Sequence, residues 1–247
     1  MINLEKYHFD YDPFPHCVVE NLFEEKFYYN LCEEFPKQHE MNLIRDKSKS
    51  LKKFYKYTLD SNETKKKFYK YLDRNIHMKE LIKYISSKAF YNNLSAFLEL
   101  NHIDLGLGEL DHKFITKIKN YFKKKELSWY FEFSSIPVPD GHIMPHTDGS
   151  NKILSFVIPI IDNENILNVQ DLGTTILKAN KDKYKYNYNN KVVPFSDADV
   201  VKILPFKKNM MNLHIKTFNS LHSVGPFNVS DGQSFSRNSI TCFLKKD

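Results

Sequence analysis

The residues best suited to chemistry in this chain are His146 and Asp148, separated by Thr147, then His222, and then Arg237 with Ser239 just beyond it. Two imidazoles and one carboxylate can occupy one face of a divalent transition-metal ion and leave the opposite face open to exchangeable ligands. A guanidinium can grip a carboxylate through two parallel hydrogen bonds, and residues 237 and 239 of one strand face the same side. These types suit a metal centre beside an anion-binding group.

Spelling alone does not single out the motif, because His-x-Asp also occurs at His8 to Asp10 and at His102 to Asp104. The third copy differs in its setting. Ser128 to Phe133 reads as a strand leading into a Pro/Gly turn at Pro137 to Gly141, and after Gly149 the run Ile153 to Ile161 is apolar except for Ser155 and Pro159, the mark of a buried strand. A His-x-Asp at a turn between two strands can aim both side chains at one point. The other two copies precede helical stretches or loops. An Arg opening the otherwise apolar last strand, Arg237 to Phe243, suits a buried anion partner.

The elements that must position these residues change character along the chain. Pro13-Phe14-Pro15 introduces a short strand over His16 to Glu20, and Asn21-x-x-Glu24 resembles a helix-capping box ahead of an amphipathic helix over 23–35, stopped by Pro36. Asp60-x-x-Glu63 starts another expected helix through about Asp73. Met78 to Ser86 and Ala89 to Leu100 continue the pattern, and Phe114, Ile118, Tyr121 and Phe122 mark one more. From Ser128 the period turns strand-like, with strands expected at 128–134, 153–161, 173–178, 199–204, 210–216 and 237–244. No Gly/Ser/Pro linker divides the helical front from the β-rich back. The expectation is one α+β domain over 1–247: a mainly helical support region over 1–127, packed on a jelly-roll core over 128–247.

Composition narrows the class. The 247 residues carry a formal charge of +6 and high aromatic content, fitting a packed core. Three scattered cysteines, Cys17, Cys32 and Cys242, offer neither a disulfide framework nor a zinc site, so a reducing cytosol is the expected location. Met1 to Asp12 is polar with charges of both signs, unlike a signal peptide, and no apolar run reaches the roughly 20 residues that span a bilayer. Lys181 to Lys191 interleaves Lys with Tyr and Asn; a solvated loop accounts for it, and no nucleic-acid partner is expected.

His146-x-Asp148, His222 and Arg237-x-Ser239 together resemble the signature of the 2-oxoglutarate and Fe(II)-dependent oxygenases, in the branch that includes prolyl-4-hydroxylase-like bacterial enzymes. The resemblance extends to Pro13 to Leu22, to Gly173-Thr174-Thr175-Ile176-Leu177, and to Pro205 to Asn209. It implies a double-stranded β-helix in which His146, Asp148 and His222 hold Fe(II), 2-oxoglutarate chelates the metal, and Arg237 binds its distal carboxylate with help from Ser239. O2 would take the last metal position, and a bound small molecule or peptide side chain would be oxidised as 2-oxoglutarate becomes succinate and CO2. Asp148 argues for hydroxylation or desaturation rather than halogenation, since halogenating relatives have a small residue there. His222 fits the family pattern better than its rival His214, because it opens a strand and precedes Ser-Val-Gly-Pro. Lys152 is a fallback anchor for the distal carboxylate, and His142 a second candidate near the motif. The competing reading is a non-catalytic jelly-roll binding or structural protein, with any metal closed off by protein ligands.

Overall fold

Strands whose residues alternate between two faces can serve a core on one side and a cavity on the other, and this chain uses the strands of its long sheet that way. The computed structural model describes residues 2, 4–45, 54–105, 127–162, 166, 171–227, 229 and 234–246. The front half runs β1 (His16–Glu20), α1 (Glu25–Glu34), β2 (Asn42–Arg45), β3 (Phe54–Asp60), α2 (Lys65–Leu72), α3 (Ile76–Ile85) and α4 (Lys88–Leu100). The back half runs β4 (Leu127–Val138), β5 (His142–His146), β6 (Lys152–Ile160), β7 (Thr175–Ala179), β8 (Ala198–Ile203), β9 (Met210–Ile215), β10 (His222–Val224) and β11 (Phe235–Lys246).

Strands β4 to β11 divide into two sets, with β9, β6, β11 and β4 side by side in one and β5, β10, β7 and β8 in the other. Strand β1 extends the first set beside β9, and β3 bridges the two sets by pairing with both β4 and β5. The result is an α+β fold with a jelly-roll, or double-stranded β-helix, core. Its longest ladder joins β11 to β4 over the full length of both strands, from Phe235 opposite Val138 to Lys246 opposite Leu127.

The pleat sorts the residues. Phe131 and Phe133 on β4, Leu154, Phe156 and Ile158 on β6, Leu213 on β9, and Ile240, Cys242 and Leu244 on β11 all join one apolar cluster with the helices. Helix α1 contributes Tyr28, Leu31 and Cys32; α2 Phe68, Tyr71 and Leu72; α3 Met78, Leu81, Ile82 and Ile85; α4 Phe90, Leu94, Phe97 and Leu98. Phe133 is the hinge of this packing, stacked on Phe68 and edge-on to Phe35 and Tyr71. The alternate residues, such as Tyr130, Glu132 and Ser134 on β4 and Arg237, Ser239, Thr241 and Phe243 on β11, line a cavity instead. Pro159 fits inside β6 because β9 pairs only with Leu154 to Val157, so no ladder bond from Pro159 to β9 is lost; its carbonyl accepts from the Tyr28 hydroxyl at 3.1 Å.

The expected strands all appear, with ends shifted by a few residues, and four of the expected helices do. The helix expected around Phe114 to Phe122 lies outside the described residues. The front half is less purely helical than its periodicity suggests, since β2 and β3 pair there and β3 joins the main sheet. The expected capping box at Asn21 does not form, and the helix expected to start at Asp60 starts later. Asn21 has a left-handed φ of 52°, and α1 begins without a side-chain cap. Asp60 closes a turn instead, its Oδ1 accepting from the amides of Asn62 and Glu63 at 2.9 and 2.7 Å before α2 starts at Lys65.

Truncating Phe133 to Ala should cost about 3–5 kcal/mol, by removing the ring that joins α1 and α2 to the sheet. Urea unfolding measures this; a loss below about 1 kcal/mol would show that the helices add little to the sheet's stability.

Candidate metal centre

Two histidines meet because their strands pair. His146 ends β5 and His222 opens β10, and the two are direct cross-strand partners, with ring centroids 4.4 Å apart. Each ring is aimed by its own backbone: Nδ1 of His146 lies 2.8 Å from the Met144 carbonyl, and Nδ1 of His222 lies 2.9 Å from that of Ser220. A proton on Nδ1 donated to a carbonyl leaves Nε2 as a lone pair facing the cavity, the form that binds metal. Burial, with His214 and His146 close by, holds the His222 imidazolium pKa well below its usual range, so the ring stays neutral.

Asp148 completes the group. Its left-handed φ of 62°, a conformation Asp tolerates better than most residues, turns the carboxylate back toward the two rings. Oδ1 lies 3.8 Å from His146 Nε2, and Oδ2 lies 4.0 Å from His222 Nε2. One ligand atom from each of the three buried residues falls within 4.8 Å of the others, so together they could hold a metal ion. The other two His-x-Asp copies make no such group: His8 and His102 are exposed, and Asp10 pairs with Lys202 at 3.2 Å.

The long sheet supplies the floor beneath Asp148. In one row across five strands, His16 faces His214, His214 faces Ser155, Ser155 faces Phe243 and Phe243 faces Tyr130. Ser155 Oγ donates to Asp148 Oδ2 at 2.9 Å, and Lys152 Nζ donates to Oδ1 at 2.5 Å. His214 Nε2 lies 3.4 Å from Oδ2, and among the described residues it makes no well-aligned hydrogen bond. Burial would raise the Asp148 pKa; Lys152, then His214, His222 and His146, outweigh it and hold the carboxyl well below the usual range.

The same cavity, about 390 Å³, runs from this group to Arg237, Ser239 and Thr174. Arg237 is only 2% exposed, which is rare for a guanidinium. Its Nε donates to the Leu172 carbonyl and its face lies 4.3 Å above the Phe206 ring. Among the described residues the buried Nη2 has no hydrogen-bond partner and no carboxylate pairs with Arg237. Burial pulls its pKa down to about 9, a cost that a bound anion would remove. Gly173 lets the wall close here, since a Cβ would fall 1.5 Å from the Leu204 carbonyl oxygen.

The structure brings His146, Asp148 and His222 together and puts Arg237 and Ser239 on the same cavity. His214 is a neighbour of that group rather than a remote alternative, its ring 4.4 Å from that of His222. Lys152 sits on Asp148, and His142, whose Nδ1 lies 3.4 Å from the Asp140 carbonyl, is not part of the cavity lining. Tyr130 lines the cavity, while its neighbour Trp129 packs against the core. Ser155 escaped sequence reasoning, although a lone hydroxyl in an apolar strand was its signal. The Lys181–Lys191 loop is fastened to the motif: Thr147 Oγ1 donates to the Asn187 carbonyl, and the Val193 amide donates to that of Pro145 at 2.9 Å.

No family model matches the chain, and no curated protein sequence does. Solved structures similar to it include a prolyl hydroxylase from Trichoplax adhaerens in complex with a hypoxia inducible factor peptide fragment. It is 12% identical, with 94% of this chain and 83% of that one covered at a TM-score of 0.48. A prolyl-4-hydroxylase from Pseudomonas putida is 12% identical over 94% and 92% of the two chains, at 0.43. The non-heme alpha ketoglutarate dependent epimerase SnoN from nogalamycin biosynthesis is 12% identical over 94% and 78%, at 0.49.

His214→Ala should weaken Co(II) binding about tenfold, as loss of a group that orients a metal ligand does, and His214→Asn should lose less. Calorimetric titration checks this; equal affinity in all three proteins would remove His214 from the metal environment.

Proposed function

We propose that this chain is an Fe(II)- and 2-oxoglutarate-dependent oxygenase in which His146, Asp148 and His222 are the metal ligands and Arg237 and Ser239 hold the cosubstrate. The observation that carries the reading is the shared cavity: a buried neutral-His, carboxylate, His group at one place and a buried guanidinium with an orphaned Nη2 at another. The donor set suits iron(II), with imidazole nitrogens and a carboxylate and no thiolate. A cation already stands on Asp148 in the form of Lys152, which marks the carboxylate as a cation site.

Bound there, iron(II) chelated by 2-oxoglutarate would couple O2 and decarboxylation of the keto acid, to succinate and CO2, to oxidation of a substrate C–H bond. The protein's own part is positioning. The Met144 and Ser220 carbonyls fix both imidazoles in the ligating tautomer, Ser155 steadies Oδ2 of Asp148, and Arg237 is preset on Phe206 and Leu172 with Nη2 left for a carboxylate. Hydroxylation of a small molecule or peptide side chain is the reaction we assign, within a single domain spanning the chain. Among the described residues no helix is long and apolar enough to cross a membrane.

Asp148→Ala should abolish Mn(II) binding, whereas Arg237→Met should leave it intact and weaken 2-oxoglutarate binding to the Mn(II)-loaded protein by roughly 10–100-fold, the value of a charge-assisted pair. Calorimetry reads both. Unchanged 2-oxoglutarate affinity in Arg237→Met would contradict the cosubstrate assignment.

A further inference from the structure

The two oxygens of Asp148 are held by different kinds of group. Oδ2 is taken by Ser155 at 2.9 Å, with His214 Nε2 3.4 Å away. Oδ1 is taken by the ammonium of Lys152 at 2.5 Å. A metal ion bound between His146 and His222 needs an oxygen of Asp148, and two cations cannot share it without strong repulsion at low dielectric. Among the described residues Oδ1, 3.8 Å from His146 Nε2, is held by the long side chain of Lys152, whereas Oδ2 is held by the short side chain of Ser155 on a central strand.

Displacement leaves Lys152 in an awkward place. Its side chain is 18% exposed, its Nζ lies 3.4 Å from the centroid of Phe243, and among the described residues Asp148 is its only ion-pair partner. The face of Phe243 keeps the ammonium beside the cavity but cannot replace a counter-ion. Three other lysines lie nearby: Lys216 is turned away, its Nζ 3.0 Å from the Thr217 carbonyl, while on the cavity itself Lys56 is paired with Glu132 at 2.5 Å and Lys245 rests on the Tyr130 ring, its Nζ 3.9 Å from the centroid. Arg237 lies six residues before Phe243 on β11, so the two basic groups meet the cavity at separate places.

We propose that Lys152 is a stand-in cation that yields Asp148 to the metal and then, released beside the metal, binds a carboxylate of the primary substrate. The inference rests on the oxygenase reading and deepens it: the substrate is an acid, such as an amino acid or other small carboxylate, bound through that group at Lys152. A carboxylate at this place could also belong to 2-oxoglutarate, and the experiment separates the two sources.

The test compares wild type, Lys152→Met and Lys152→Gln as full-length proteins stripped of metal. Mn(II) is titrated by calorimetry, and the melting temperature is followed with and without the metal. Lys152→Met should bind Mn(II) at least about tenfold more tightly, because its competitor is gone, and should melt lower than wild type only when metal-free. Lys152→Gln, with a neutral donor, should fall between and serves if the Met variant does not fold. Equal or weaker Mn(II) binding in both variants would overturn the hand-over. Absence of Mn(II) binding in wild type would instead sink the oxygenase reading itself.

In the second arm, Mn(II)- and 2-oxoglutarate-loaded protein is screened for stabilisation by amino acids, hydroxy acids and dicarboxylates, each beside its amide. Stabilisation by an acid, lost with its amide and lost in Lys152→Met, supports the assignment. Amides that stabilise as well as acids would overturn it. A fall of tenfold or more in 2-oxoglutarate affinity of Mn(II)-loaded Lys152→Met would give the carboxylate to the cosubstrate and overturn the substrate class.

Discussion

One buried negative charge organises the core of this protein. Asp148 is 3% exposed, and an ionised carboxylate out of water survives only with cations and hydrogen bonds around it. Those partners come from both sets of strands. Lys152 and Ser155 belong to β6 and His214 to β9, on the long sheet, while His146 and His222 belong to β5 and β10, on the short one. The carboxylate is therefore the charge junction across which the two halves of the jelly roll meet. The left-handed backbone at Asp148 is the local cost of placing it there.

Around that junction the strand pleat divides the labour. Faces turned outward from the long sheet are apolar and are covered by α1 to α4. Faces turned inward carry many polar groups, among them the ion pair of Lys56 and Glu132 at 2.5 Å and the buried hydroxyl of Ser134, which has no partner among the described residues. Polar groups held dry and unpaired oppose folding, so the helix-covered face must supply the stability that the cavity face gives up. At the far end, Arg237 repeats the logic of Asp148 with the sign reversed. Its guanidinium has aromatic and carbonyl contacts but no anion among the described residues.

This division also explains what the sequence disclosed. Strands with one apolar face and strong flanking turns, such as β6, β9 and β11, stand out by alternation. Strand β3 does not, because Lys56 and Asp60 line a polar cavity and look, in sequence, like residues on a solvated face. Strands β5 and β10 are too short for periodicity, and Pro145 interrupts one of them, yet they carry two of the candidate ligands. His146, Asp148 and His222 were legible through chemistry and setting, with strand periodicity contributing only indirectly. The contact of Lys152 with Asp148 was legible in neither way. Four residues apart suggests a helical pair, and here a turn between a left-handed Asp148 and the start of β6 brings them together.

The most direct measurement is anaerobic titration of the Fe(II)-loaded protein with 2-oxoglutarate, followed by visible absorption, in wild type and Asp148→Ala. The expected result is a weak charge-transfer band in wild type, formed as the keto acid chelates the metal, and no band in the variant. A metal-loaded wild type that develops no band would contradict the oxygenase reading and leave the jelly roll as a binding scaffold.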